Sequence, residues 1–349
     1  MKPFLFRTSV IVLTTFTSIL HADSPAPLEV ILVAGQSNAV GFDAKASDLS
    51  ADPDDKNVLF WWRCGDPPPD EHDTTSGGKW AQLQPQPRGE PMAKDAGVPR
   101  QYGNFSSPAG FGPEIGLART LRAKEHKPLA IVKAAFSGTA MAQDWNPADP
   151  GAGGSCYRAL VAETKAALAA AKANGAAPHL RALVWVQGES DANENAAALY
   201  TEALGGMIAA LRKDLDAPQL NALIAVNTHF GGGKNVFMPK IVEAQKALAA
   251  KDSHCAYVDT ETATVANAVH FDSAGTLDVG ARFAVALLKI EAKSNEPTNA
   301  TEAAAKKAAA DNARDERYQK WKASLPPEQQ AWETVLEQNL GAFYLPIHK

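Results

Sequence analysis

Short apolar runs alternate with longer amphipathic stretches along most of this chain. The runs cover residues 28–34, 58–62, 129–134, 182–186, 222–226 and 256–258. Near-continuous apolarity over a few residues suits strands covered on both faces, as in a parallel sheet. Between the runs, helical periodicity occupies 114–124, 157–174, 196–214, 238–251 and 273–293. Strand and helix in alternation predict right-handed crossovers and a three-layer αβα sandwich over residues 23–292. In such sheets ligands bind beyond the carboxyl ends of the strands, which directs attention to the residues following each run.

Two regions break the alternation. Residues 64–112 are rich in Pro and Gly and show no regular element, so they read either as a functional loop or lid, or as a decorative insertion. From residue 293 the composition shifts to Ala, Lys, Glu and Gln, predicting a helical C-terminal extension over 293–349. Helical patterns at 301–322 and 328–339 flank Leu325-Pro326-Pro327, and Tyr318 with Trp321 and Trp332 with Val335 and Leu336 form apolar stripes suited to docking on the main domain.

Composition narrows the function classes. The 349 residues are 45% apolar and 21% charged, which excludes a disordered or collagen-like chain. With 34 basic against 39 acidic residues and no basic stripe, nucleic acid is not an expected partner. Residues 1–22 read as a secretory signal: Lys2 and Arg7 precede an apolar segment, 9–20, that is too short to span a bilayer. The expected location is secreted or periplasmic, with no membrane span after signal removal. Cys64, Cys156 and Cys255 match no zinc or Cys-x-x-Cys spacing and read as packing residues or one structural bridge.

Three strand ends carry candidate chemistry. The first run leads into Gly35-Gln36-Ser37-Asn38-Ala39-Val40-Gly41, where Ser37 is either a nucleophile beside backbone N–H groups or a helix N-cap. The fourth leads into Gln187-Gly188-Glu189-Ser190-Asp191, offering an amide donor in Gln187, a negative charge in Glu189 and a helix cap in Asp191. The last leads through a loop to His270, an imidazole able to take and return a proton near neutrality. His229, which follows the fifth run, is its main rival.

Taken together, Gly35-Gln36-Ser37-Asn38, Gly112-Pro113-Glu114, Ser137-Gly138-Thr139 with Trp145, Trp185-x-Gln187-Gly188-Glu189-Ser190-Asp191, and His270-Phe271 with Gly275 resemble the acetylesterases of the SGNH hydrolase superfamily. The branch they resemble is carbohydrate esterase family six with its sialate O-acetylesterase relatives, and the resemblance spans roughly residues 28–290. It implies a flavodoxin-like sandwich and an exported serine esterase that removes O-acetyl groups from a carbohydrate, without metal or organic cofactor. Carried over by position, Ser37 is the nucleophile, His270 the base and Glu189 the carboxylate that orients it. The oxyanion hole falls to the N–H groups of Ser37 and Gly138 and to the Gln187 amide. Asn38, Thr139 and Trp145 are the candidate substrate contacts, with Trp145 either a sugar-stacking surface or a core aromatic.

The sequence departs from the family pattern twice. Ser137 stands where relatives often have glycine, and Asn267 stands three before the histidine, where many carry Asp. Because an amide cannot stabilise an imidazolium with a full charge, Glu189 is preferred over Asn267 as the third member. A carbohydrate-binding protein on a decayed hydrolase scaffold, or a lipase or thioesterase of the same superfamily, are the alternative functions.

Overall fold

The parallel sheet expected from the apolar runs is present in the computed structural model, which describes residues 26–68, 74–89, 103–294 and 300–330. The expected signal segment therefore lies outside the described residues. In chain order the elements are β1 (Ala26–Gly35), α1 (Ser37–Val40), β2 (Val58–Gly65), β3 (Thr74–Thr75), β4 (Ala81–Gln82), β5 (Gln86–Pro87), β6 (Ala109–Gly110), α2 (Glu114–Lys124) and β7 (Leu129–Phe136). There follow α3 (Met141–Asp144), α4 (Ser155–Ala173), β8 (Ala176–Val186), α5 (Tyr200–Asp214), β9 (Asn221–Ala225), α6 (Met238–Lys251), β10 (Cys255–Tyr257), α7 (Ser273–Ser294) and α8 (Ala300–Ser324).

The sheet runs β10, β9, β8, β1, β7, β2 with every neighbouring pair parallel, and β3 and β4 add antiparallel pairs on the β2 side. A flavodoxin-like sheet sets its second strand beside its first; here β7 is inserted between β1 and β2. The consequence for the site is direct. Gly35, the last residue of β1, is in register with Ala135 of β7 on one side and Val186 of β8 on the other. Strand order reverses at β1, so the turns that follow β1, β7 and β8 meet at a topological switch point, where α/β sheets bind ligands.

The layers follow from strand alternation. Val30, Leu32 and Ala34 of β1 join Leu160 of α4, Leu204 and Leu211 of α5 and Ile241 of α6 in one buried cluster. Ile31 and Val33, which point the other way, are equally buried, on the α2 side of the sheet. There α2 contacts β7, and α2 lies so close to α7 that a Cβ on Gly116 would come within 2.0 Å of the Leu277 carbonyl oxygen. The apolar run of β7 is interrupted by Lys133, which is fully buried. Its ammonium donates to Glu114 at 2.9 Å, to Gln86 Oε1 at 2.8 Å and to the Val40 carbonyl at 2.8 Å, so the charge is paired rather than stranded.

The Pro/Gly-rich segment is not featureless where it is described, since it contributes β3 and β4 to the sheet and β5 paired with β6. Cys64, Cys156 and Cys255 are buried and unbridged. The chain divides into one compact unit ending at Leu287 and a second beginning at Leu288. In the second unit the helix expected at 301–322 is α8, with Tyr318 and Trp321 in ring contact at 5.7 Å. The helix expected at 328–339 falls outside the described residues beyond 330. Among the described residues no helix is long and apolar enough to cross a membrane.

Candidate active site

The sharp turn at the end of β1 decides where Ser37 points. Gly35 has φ +134°, and a Cβ there would lie 2.1 Å from the Val186 carbonyl oxygen, so only glycine permits the chain to turn this close to β8. Ser37 then opens the single-turn α1, which Gly41 closes and which Lys133 holds from below through Val40. The first amides of a helical turn have no acceptor within it.

His270 reaches this serine from 233 residues away, with its Nε2 3.0 Å from Ser37 Oγ. The opposite nitrogen, Nδ1, lies 2.7 Å from Asp43 Oδ2. A carboxylate at Nδ1 fixes the tautomer: the ring donates from Nδ1 and leaves Nε2 to accept the serine hydroxyl proton. Phe42 stacks on the imidazole with ring centroids 4.7 Å apart. Burial pulls the His270 pKa down against the hydrogen bond and charge of Asp43, which raise it, and the net shift is downward. Burial pushes Asp43 up, but hydrogen bonds from Ser106, Asn267 and His270 outweigh it and hold this carboxyl below its ordinary range.

The serine and histidine expected from the sequence are thus together, whereas the carboxylate is not the expected one. Glu189 is buried and does not touch His270. Its Oε1 accepts from Asn38 Nδ2 at 2.8 Å and from the Asn227 amide at 3.1 Å. Burial is the main cause of the rise in its pKa. Asn267 is equally not a direct orienter of the ring. It donates to Asp43 Oδ2 at 2.8 Å and accepts from the backbone of Val269 and His270, tying the histidine loop to the carboxylate.

The other expected site residues are turned inward. Asn38 donates to Glu189 and to the Val269 carbonyl and accepts from the Phe271 amide, clasping the chain on both sides of His270. Asn227 donates to the same Val269 carbonyl at 2.9 Å. Thr139 is fully buried, its hydroxyl donating to the Phe136 carbonyl. Trp145 is fully buried between Phe136 and Trp185, a core aromatic with no face for a sugar. The Gln187 amide donates to the Thr139 carbonyl at 3.0 Å and to Asp191 at 2.5 Å, so it braces the Ser137–Gly138 turn instead of facing the cleft. Asp191, expected as a helix cap, receives the Met141 amide as well and joins the turn after β7 to the turn after β8. Gly138, with φ +66°, stands at that turn beyond β7. His229 bonds the Glu261 carbonyl at 2.8 Å and has no part in this group.

Asp43, Phe42 and Ser106 were not among the candidates. Asp43 follows Ser37 by six residues on an irregular loop whose course no periodicity reveals, although a carboxylate so soon after a nucleophile is itself a signal. Ser106 comes from the Pro/Gly-rich segment, and its amide donates to the Phe42 carbonyl at 2.8 Å, so this segment reaches the site.

The family model for "Carbohydrate esterase, sialic acid-specific acetylesterase" matches residues 27–289. The chain belongs to this family. It is accordingly a carbohydrate esterase of the acetylesterase kind. Among solved structures it is similar to a protein from Arabidopsis thaliana, with 22% identity, a TM-score of 0.55, and coverage of 75% of this chain and 98% of that one. It also matches NanS at 20% identity and TM-score 0.48, covering 77% of this chain and 99% of that one. A carbohydrate acetylesterase from Xanthomonas citri matches at 19% identity and TM-score 0.49, covering 75% and 56%. A comparison with curated proteins returned no match.

Proposed function

We propose that this carbohydrate esterase is an exported serine hydrolase that removes O-acetyl groups through an acetyl-serine intermediate. The observation that carries the reading is the continuous chain from Ser37 Oγ through both nitrogens of His270 to Asp43. In this mechanism His270 takes the hydroxyl proton as Ser37 attacks the acetyl carbonyl. The negative charge developing on the carbonyl oxygen is received by the Ser37 and Gly138 N–H groups, with Gln187 holding the second turn in place. His270 then passes its proton to the leaving sugar oxygen. Water, activated by the same imidazole, attacks the acetyl-serine and releases acetate.

Asp43 supplies what an amide does not. As His270 becomes cationic, a carboxylate already ionised and hydrogen-bonded to Nδ1 stabilises the imidazolium without first losing a proton. Its downward pKa shift is the electrostatic signature of that readiness. Export rests on residues 1–22 alone and is tested by the N-terminal sequence of the protein recovered outside the cytoplasm.

The mechanism is tested by aryl acetate turnover. Ser37→Ala is expected to fold and to lose on the order of a thousandfold or more, because only the oxyanion donors and binding remain. A serine-directed phosphonate should label the wild-type protein at Ser37. Near-normal turnover of the variant, or a label on another peptide, would move the chemistry elsewhere.

A further inference from the structure

Lys133 is a fully buried cation that takes no step in the proposed mechanism. It lies on β7 in register with Val33 of β1 and Trp62 of β2, just before the Gly35 turn. An ammonium has three N–H donors and no acceptor. All of them are placed, on the Val40 carbonyl and Gln86 Oε1 at 2.8 Å and on Glu114 Oε1 at 2.9 Å. Val40, Gln86 and Glu114 are themselves fully enclosed, so these bonds act in a medium of low polarity without competing water.

The Val40 contact falls midway along the segment that carries Ser37 and Asp43. The Ser37 carbonyl accepts the Gly41 amide at 2.9 Å and the Phe42 amide at 3.1 Å, which closes this stretch into one turn. The last carbonyls of a helical turn find no donor within it, and at Val40 the ammonium supplies a charged one. The end of the Pro/Gly-rich segment is packed against the same turn. A Cβ on Gly112 would lie 2.5 Å from the Ala39 carbonyl oxygen and 2.7 Å from Lys133 Nζ. Phe105 sets its ring 5.8 Å from that Nζ, and the next residue, Ser106, gives its amide to Phe42.

A buried ion pair stabilises a fold little, if at all, over apolar side chains of the same volume. What the Lys133–Glu114 pair adds is a directed donor at a fixed point beneath the turn. Because Val40 is joined to Ser37 through that closed turn, a shift at Val40 moves the Ser37 side chain relative to His270.

We propose that Lys133 is a positioning residue for Ser37, acting through the Val40 carbonyl and held in place by Glu114 and Gln86. The proposal rests on the esterase reading of Ser37 and His270 and assigns Lys133 no contact with substrate.

The test follows 4-nitrophenyl acetate turnover, the rate of phosphonate labelling at Ser37 and the melting temperature in three variants of the full chain. Glu114→Gln keeps an oxygen acceptor and the Val40 contact but leaves the cation without its counter-charge. It should melt lower and, while folded, keep kcat within about threefold. Lys133→Met/Glu114→Gln removes both charges together. It should melt near the wild type yet lose about a hundredfold in kcat and in labelling rate, with KM within about threefold. Lys133→Met alone leaves a buried carboxylate unpaired and should lose both stability and turnover. A pair that only supports the fold predicts instead that turnover follows the melting temperature.

Turnover within about threefold of the wild type in the double variant overturns the proposal, as does a loss confined to KM. So does a Glu114→Gln variant that, while folded, loses as much turnover as the double variant. Failure of the double variant to fold overturns it as well, since Lys133 would then hold the sheet rather than the turn. Wild-type protein that neither hydrolyses the ester nor labels at Ser37 removes the esterase reading itself. An active wild type with a fully active double variant removes the Lys133 assignment alone.

Discussion

Asp43 bonds the His270 ring while Glu189 bonds Asn38 and Asn227, and their environments suit them to different work. Asp43 is half-buried on a loop, held by three hydrogen bonds and kept ionised. Glu189 is fully enclosed at the end of β8, bonded through one oxygen, with a pKa raised by burial. The first is suited to stabilising a cation that appears and disappears during each turnover. The second is suited to tying together Asn38, Asn227 and, through them, the backbone around His270. A carboxylate near a histidine in sequence or in space is therefore not enough to define a triad; its solvation and its bonded partner decide the role.

The sharpest way to break this comparison is Asp43→Asn. Loss of the carboxylate at Nδ1 is expected to lower kcat by about a thousandfold or more on an aryl acetate, by analogy with other triads deprived of their acid. Glu189→Gln should behave differently, since Oε1 still accepts from Asn38 and Asn227. It is expected to cost at most about tenfold in turnover and to show itself mainly in the melting temperature. Glu189→Gln being the worse variant in turnover, with both folded, would reverse the assignment of the two carboxylates.

A double exchange sharpens the point. Asn267 bonds Asp43 at 2.8 Å, so Asn267→Asp alone places two carboxylates in contact, where they cannot both ionise freely. A loss of about fivefold is expected at neutral pH, with the acid limb of the profile displaced. Combined with Asp43→Asn, the same substitution returns a charge to the histidine loop and should recover about tenfold over Asp43→Asn. No recovery would mean that the charge must come from the segment after the nucleophile.

The smallest effect concerns pH. In the proposed mechanism His270 works as a base only when neutral, and burial lowers its pKa below 6.5, so kcat/KM should hold its plateau to a pH below 6.5 before falling. Asp43 raises that pKa, and removing its charge should move the acid limb further down even as the maximum rate collapses. A limb moving up in Asp43→Asn would contradict the contact between the two residues.

Much of the fold was legible because a parallel sheet buries both faces of its strands. The helices expected at 114–124 and 238–251 coincide with α2 and α6, and each apolar run lies within or overlaps one of the parallel strands, to within a residue at the ends. Ser37 and His270 stood out through the motifs of the family resemblance, and the structure brings their side chains together. Asp43 did not, since its approach to His270 depends on a loop path fixed by Gly41, Phe42 and Ser106. Gln187, Asn38 and Trp145 carry the family pattern in sequence, yet pattern does not tell whether a side chain faces the cleft or the neighbouring turn. Lys133 lies inside a run that reads as apolar, and its pairing with Glu114 and its hold on Val40 emerge only from packing.

The short sequence distance between Ser37 and Asp43 bears on how the site assembles during folding. Ser37 and Asp43, the proposed nucleophile and acid, arrive on one continuous segment and require no distant pairing of their own, whereas His270, the proposed base, arrives from the far end of the domain. Contacts between remote parts of a chain form late, because the entropy of closing the intervening loop must be overcome first. In refolding, then, hydrolysis should appear together with docking of the Asn267–Phe271 loop and after the β1–β7–β8 centre has formed. Activity in this protein would then report the closure of the long-range contact between Ser37 and His270.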